Sequence, residues 1–420
     1  MQLRSWLLSG LLVTSTALAA CAQSAPAAPT TAPAAAPTTA AAAPTTAPAA
    51  ATPRPAATTA PAATTAPAAT RASAATTTAA PTTAPAGAAT SAPAATSAAT
   101  VRPAATTAAA ATTAPAAAGK KLTVALVVGV KGDPFYVTME KGARAKAQEL
   151  GVDLIVDGPA QFNPVQQTPI VDALIARKID ALLIAPTDKQ AMIEPLKRVN
   201  DAGIKVITVD TYIGDGDYEK GPVTFPLSYI GSDNVQGGKI ACDALIKAIG
   251  GKGKLYIQNV KPGISTTDQR EQGCKESIQA SGGAVTLVGV DYNDDSAAKA
   301  AEQTTALLQR TPDLAGIFGT NLFSAEGAAQ AVKNANLTGT VKIANFDAPE
   351  QAIKDLRDNV VDLVIAQKPA DMGSTGVEYA VNAIKGDTSG IKKRVTTGYV
   401  VIDRTNVDTP EAQAAIYKSQ

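Results

Sequence analysis

The chain has 420 residues, with 37 Lys and Arg against 36 Asp and Glu, 4% aromatic residues, three cysteines and no histidine. The lack of histidine excludes imidazole-based triads, His metal sites and imidazole general bases together. Arg4, Arg54, Arg71 and Arg102 precede residue 119 while no acidic residue does, so the remainder carries a net charge of about −3 without any basic block, which argues against a nucleic-acid partner.

The first 21 residues, "MQLRSWLLSGLLVTSTALAAC", place Arg4 before an apolar stretch and small residues before Cys21. This is the pattern of a signal peptide, too short to span a membrane as a mature helix. "LAAC" resembles a bacterial lipobox, in which Cys21 becomes the lipidated first residue of an exported, membrane-anchored protein. Residues 22–118 are almost entirely Ala, Thr and Pro. Nothing there can form a core, so the segment reads as a disordered tether with a mean span on the order of 55 Å.

Residues 119–420 are long enough for two α/β lobes. Buried-strand patterns fall at "LTVALVVG", "DLIV", "DALLIA" and "KVITVD", then at "LYIQ", "VTLVGV", "AGIFG", "VKIANF" and "VDLVIA". Helical periodicity fills the gaps. "YVTMEKGARAKAQELG" is one helix, stopped by Gly151; "SDNVQGGKIACDALIKAIGG" is another, read as opened by Ser232 and closed by Gly250 and Gly251. Near-continuous apolar strands separated by helices predict parallel sheets covered on both faces, in two successive series.

In such sheets ligands bind beyond the carboxyl ends of the strands. The residues just past those ends are Asp133, Phe135 and Tyr136, then Asp210, then Arg270 in "NVKPGISTTDQR", then Tyr292, Asn321, Asp347 and Gln367. Carboxylates, amides, a guanidinium and flat rings suit a polyol or sugar ring: the planar polar groups fork onto hydroxyls, and the rings cover C–H faces.

Over residues 120–405 the chain resembles the ribose-binding protein family, the type I periplasmic binding proteins of ABC importers. The resemblance is carried by "DPFYVTMEKGA", "DALLIAPTD", "KVITVD", "IGSDNVQGGKIA", "REQG", "FGTN", "NFDAPEQAI" and "IAQKPADMGSTGVEYAVNAIKG", in family order. It implies two Rossmann-like lobes, 120–230 with 368–398 and 231–367 with 399–420, joined by three crossings near Gly231, Gln367 and Gly398. It also implies stacking by Phe135, Tyr136 and Tyr292, and hydroxyl binding by Asp133 (usually Asn), Asp210, Arg270, Asn321, Asp347 and Gln367. Ala185, Thr211 and Gln272 depart from the ribose pattern and point away from ribose itself. The connection around Tyr212, "DTYIGDGDYEKGPVTFPLSYIGSDN", is longer than the ribose-type one.

Each signal has a plainer structural use. Phe135 and Tyr136 could be packing at a helix start, Asp210 and Asp347 could be helix N-caps, and Arg270 could pair on a surface with Glu271 or Glu276. Tyr292 at a strand end of the other lobe, and Asp210 and Asp347 at neighbouring strand ends, favour binding. "GDGDYEKG" spaces Asp215, Asp217 and Glu219 like calcium ligands, but its glycine arrives one residue late, so it reads as a solvated turn. Cys242 and Cys274 fit a disulfide or two buried thiols equally well.

The reading is thus a monomeric, lipid-anchored solute receptor outside the cytoplasm. It hands a monosaccharide or similar polyol to a membrane permease and requires neither cofactor nor metal. The alternative is a receptor for a furanosyl quorum signal or a chemotaxis ligand, since "DGP" after "DLIV" occurs in relatives of that sort. An enzyme would need a nucleophile–base pair or a cofactor loop, and neither is present in the sequence. A sugar-responsive repressor would need a helix-turn-helix where the export signal stands.

Overall fold

The computed structural model describes residues 121–419, so the signal sequence, Cys21 and the Ala/Pro/Thr tether lie outside the described residues. In chain order the first series is β1 (Thr123–Val127), α1 (Pro134–Leu150), β2 (Asp153–Asp157), α2 (Pro164–Ala176), β3 (Ala181–Ile184), α3 (Ile193–Asp201), β4 (Lys205–Val209) and β5 (Ser228–Ser232). The second is α4 (Asn234–Ala248), β6 (Gly253–Asn259), α5 (Ser265–Ala280), β7 (Val285–Tyr292), α6 (Ala297–Arg310), β8 (Leu314–Gly319), α7 (Leu322–Asn334), β9 (Lys342–Phe346), α8 (Glu350–Arg357) and β10 (Leu363–Ala366). The chain ends with α9 (Pro369–Ile384), β11 (Arg394–Thr397), β12 (Val400–Ile402) and α10 (Pro410–Ala414).

Two six-stranded sheets result, ordered β11-β5-β4-β3-β1-β2 and β12-β10-β9-β8-β6-β7. Every pairing is parallel except that of β12 with β10. The parallel strands are near-continuous runs of Val, Ile, Leu and Ala because helices cover both faces; all four residues of β3 are fully buried. Each sheet reverses strand order beside its first strand, so the carboxyl ends of the central strands open onto a crevice.

The chain passes from one sheet to the other after β5, after β10 and after β11. Side chains at the three passages are joined: the Ser232 hydroxyl donates to Gln367 Oε1 at 2.8 Å and lies 3.3 Å from the Thr397 hydroxyl.

Helix ends follow their local chemistry. Asp133 caps α1 by accepting from Phe135 N at 2.8 Å, Pro134 occupies the first turn, and Gly151 closes the helix in the left-handed region at φ 68°. Ser232, read from sequence as the opener of α4, instead ends β5; the cap is Asp233, whose carboxylate accepts from Gln236 N. β5, β11 and β12 also join the nine strands expected.

Close helix pairs rest on glycine. A methyl on Gly142 would strike the Ala370 carbonyl between α1 and α9, and one on Gly238 would strike the Arg270 carbonyl between α4 and α5. Cys242 and Cys274 form a disulfide across that second pair, with Cα atoms 5.1 Å apart. Among the described residues no helix is long and apolar enough to cross a membrane.

Candidate functional site

The carboxyl ends of both sheets face one small cavity lined by polar and aromatic side chains from both. From the first sheet come Asp133, Phe135 and Tyr136 after β1, Phe162 after β2 and Asp210 after β4. From the second come Val260 and Ile264 after β6, Thr266, Thr267 and Arg270 on α5, and Asp295, Asn321, Asp347 and Gln367 after β7, β8, β9 and β10.

Asp210 and Asp347 hold equivalent places. Each follows a central strand, with φ of 61° and 76°, and each donates its backbone N–H to the next strand, to Ile230 O and Ile365 O, both at 2.9 Å. Neither is a helix cap. The Tyr136 hydroxyl donates to Asp210 Oδ2 at 2.8 Å, and the Tyr229 hydroxyl donates to the Asp210 carbonyl at 2.8 Å. Gln367 Nε2 donates to Asp347 Oδ1 at 2.7 Å, and the Tyr417 hydroxyl, on the C-terminal tail, donates to the same oxygen at 3.3 Å. Tyr417 also accepts from Gln367 N at 2.7 Å, so a residue outside the cavity lining fixes two that belong to it.

Arg270 is 2% exposed and sits at the centre of this frame rather than on a surface. Its Nε donates to Asn234 Oδ1 and its Nη1 to the Thr320 carbonyl, each at 2.9 Å; Nη1 is 3.9 Å from Asp347 Oδ2. The guanidinium carbon lies over the Phe346 ring, 3.9 Å from its centroid. Two edges of the fork are therefore fixed by protein.

Burial dominates the acid–base balance. It pushes Asp210 up to about 6, against the opposing pull of Arg270 and the Tyr136 hydroxyl. Burial likewise takes Asp295 to about 6, with Asp347 adding to it and the Asn321 amide and Lys261 opposing. Asp347 rises for the same reason, held back chiefly by Arg270. Asp133 stands well above the carboxylate range, first through burial and then through the charges of Asp347, Asp295 and Asp210. Among the described residues no group of acidic or cysteine side chains is arranged to hold a metal ion.

The cavity brings together Asp133, Phe135, Tyr136, Asp210, Arg270, Asn321, Asp347 and Gln367, and leaves out Tyr292. β7 is an edge strand, and the Tyr292 hydroxyl leans onto α5, donating to Glu271 Oε2 at 3.3 Å. What reaches the cavity from that strand end is Asp295, three residues later, after the chain turns through left-handed residues at Asp294 and Asp295 with φ of 55° and 63°. Two of the predicted side chains are partly spent on the protein: Asp133 Oδ1 caps α1, and Asn321 Oδ1 accepts from Ser324 N while its Nδ2 donates to Asp295 Oδ1 at 2.7 Å.

Sequence reasoning missed Phe162, Thr266, Thr267 and Asp295. Phe162 was accessible to the strand-end rule had it been applied after β2 as well; a methyl on Gly129 would collide with its ring and with the Tyr136 hydroxyl, so that glycine admits both. Of the departures from the ribose pattern, Thr211 donates to the Pro186 carbonyl at 2.7 Å and Gln272 lies outside, bonded to Glu276. Asp217 accepts backbone N–H from Glu219 and Lys220, as a turn residue does.

The two lobes also meet outside the cavity. Lys189 pairs with Asp268 at 2.7 Å and its N–H donates to the Gly263 carbonyl at 3.0 Å. Tyr212, in the long connection, donates N–H to Ser265 Oγ and accepts from Gln269 Nε2, both at 3.0 Å. Lys261 Nζ donates to the Phe162 carbonyl at 2.6 Å. These contacts bridge the two lobes beside the cavity.

Comparison with known proteins gives the same frame. Residues 124–388 match the model of the periplasmic binding protein domain. The ribose import binding protein RbsB of Salmonella typhimurium is 32% identical over 281 residues, 67% of this chain and 91% of that protein. The D-allose-binding periplasmic protein of Escherichia coli is 29% identical over 263 residues, 62% of this chain and 84% of its own. Among solved structures, an ABC transporter solute-binding protein from Agrobacterium vitis bound with α-D-tagatopyranose is 48% identical, with a TM-score of 0.69 over 71% of this chain and 100% of its own. A second from the same organism, with bound D-fucose, is 27% identical, with a TM-score of 0.66 over 70% of this chain and 100% of its own.

Proposed function

This chain belongs to the periplasmic binding protein domain family, a family of transport binding proteins rather than enzymes, and from that membership we propose that it captures a hexose in its pyranose form. D-Tagatose is the first candidate, by similarity to the Agrobacterium vitis protein. The protein would be exported, lipidated at Cys21 and tethered by residues 22–118, and would deliver the sugar as a monomer to the permease of an ABC importer.

One observation carries this reading: hydroxyl-binding side chains from the strand ends of both sheets line a single cavity, Asp133 and Asp210 on one side and Arg270, Asp347 and Gln367 on the other. A solute shifts the lobes toward closure only through contacts it makes better in the closed state, and a sugar reaching both sets does so. Phe135 and Phe162 supply apolar faces suited to ring C–H groups. Three departures, Ala185, Thr211 and Gln272, favour a ligand other than ribose.

A thermal-shift panel of pentoses, hexoses, deoxysugars and polyols tests this. A bound sugar at a hundred times its dissociation constant stabilises the protein by about 2.7 kcal/mol, and Asp210→Ala abolishes the shift. No shift with any sugar, or one unaffected by Asp210→Ala, refutes it.

A further inference from the structure

The cavity holds more acceptors than the hydroxyl-binding set read from sequence. Asp133, Asp210, Asp295 and Asp347 all line it, two from each lobe, and Arg270 is the one cation in its lining. Among the described residues, the other charged or titratable groups interacting with this cluster include Tyr136 on α1, Tyr229 on β5, Lys261 after β6, Tyr399 before β12 and Tyr417 on the tail; Lys261 is tied to the Phe162 carbonyl. Burial and its acidic neighbours favour the protonated form of Asp133, yet Asp210, Asp295 and Asp347 still outnumber Arg270 and Lys261, so the lining remains acidic.

Asp295 is built into this arrangement. Its left-handed backbone turns it inward, Asn293 Oδ1 accepts its N–H at 2.9 Å, and Asn321 Nδ2 fixes Oδ1. No described residue donates a hydrogen bond to its Oδ2. On α5, Thr267 is 3% exposed and lines the same cavity, and its buried hydroxyl has no hydrogen-bond partner among the described residues. A buried hydroxyl left unpaired costs about 1–3 kcal/mol, which a ligand hydroxyl would relieve.

We propose that Asp295 is a ligand-contacting residue that accepts a sugar hydroxyl and sets specificity: the cavity takes neutral polyhydroxylated rings and rejects those bearing a carboxylate or phosphate. The inference rests on the sugar-binding reading above. Each carboxylate oxygen accepts a hydroxyl proton well and faces an anionic oxygen at a loss, the more so where water is excluded. A like charge brought against a buried, partly compensated cluster raises the cost of closure, so an anionic sugar fails at the step that should retain it.

The test is isothermal titration calorimetry of the purified wild type, Asp295→Asn and Asp295→Ala against D-tagatose and D-galacturonate. If the panel selects another neutral sugar, that sugar replaces D-tagatose. The wild type is expected to bind the neutral sugar and to give no heat with D-galacturonate. Asp295→Asn keeps the volume and the bond to Asn321, so a wild-type melting temperature certifies its fold. It should bind the neutral sugar at least about tenfold more weakly, with a smaller preference over D-galacturonate. Unchanged affinity in both variants, or wild-type binding of D-galacturonate comparable to that of the neutral sugar, overturns the proposal and leaves the sugar-binding reading standing. A wild type that binds no sugar in the panel overturns both.

Discussion

Replacing Arg270 by Met keeps most of the side-chain length and removes the charge and the fork. Asn234 Oδ1 and the Thr320 carbonyl each lose a charged donor at 2.9 Å. An orphaned buried acceptor costs about 1–3 kcal/mol, and the stacking on Phe346 adds about 0.5–2 kcal/mol. Asp347, 3.9 Å from Nη1, is left among like charges. Together these set a loss of about 4 kcal/mol, inside the range of about 3–5 kcal/mol for removing one partner of a buried pair.

The sign of the pH dependence comes from the same geometry. Arg270 holds down the pKa of Asp210, already pushed up to about 6, and that of Asp347. Without it both rise further in the folded state. A carboxyl whose folded pKa is raised gives stability that is fully present below its unfolded value, near 4, and is lost as pH rises through the folded one. In Arg270→Met that loss extends to higher pH than in the wild type, so the gap between the two widens from pH 5 to pH 8. Urea unfolding followed by far-ultraviolet circular dichroism at both pH values measures it. A gap below about 1 kcal/mol at pH 8, the scale of an ordinary exposed pair, or one that narrows as pH rises, refutes the reasoning.

Two further outcomes are expected. Replacing both Cys242 and Cys274 by Ala opens a 32-residue link between α4 and α5 and lowers stability by about 4 kcal/mol on chain-entropy grounds; urea unfolding without reductant reads it, and a loss indistinguishable from zero contradicts it. Lys189→Ala and Tyr212→Phe are outside the cavity lining but weaken contacts between the lobes, so each should loosen sugar binding by up to about fivefold, an effect of roughly 1 kcal/mol. Calorimetry gives the affinity, and small-angle scattering should show the open population rising; unchanged affinity in both would deny these contacts a part in closure.

The two-sheet architecture was legible because parallel strands buried on both faces leave continuous apolar runs, as "ALLI" and "KVITV" do. β5, "SYIGS", was not, since its small and polar residues are buried by the adjoining strands rather than by their own hydrophobicity. β11 and β12 are short, and β11 alternates exposed with half-buried residues, so their pairing is set by the far ends of the chain. At the site, residues that directly follow a strand could be collected by rule, and Asp133, Asp210, Asn321, Asp347 and Gln367 do gather in one place. Tyr292 is the last residue of the edge strand β7 rather than one beyond it, and its hydroxyl is taken by Glu271 on α5. Asp295 escaped because only the left-handed turn at Asp294 and Asp295 brings it back. The thiol pairing depended on how closely Gly238 and Gly273 let α4 and α5 approach, a distance no spacing in the sequence encodes.

The backbone at Asp210 and Asp347 limits what these two posts can become. At φ of 61° and 76° a branched or bulky side chain is strained, whereas Asp and Asn are accommodated. Exchange between those two alters charge and donor pattern while the turn and its tether to the neighbouring strand stay as they are. Retuning toward a new solute can therefore proceed at both posts by single steps between acid and amide, with changes of bulk confined to freer neighbours such as Phe162.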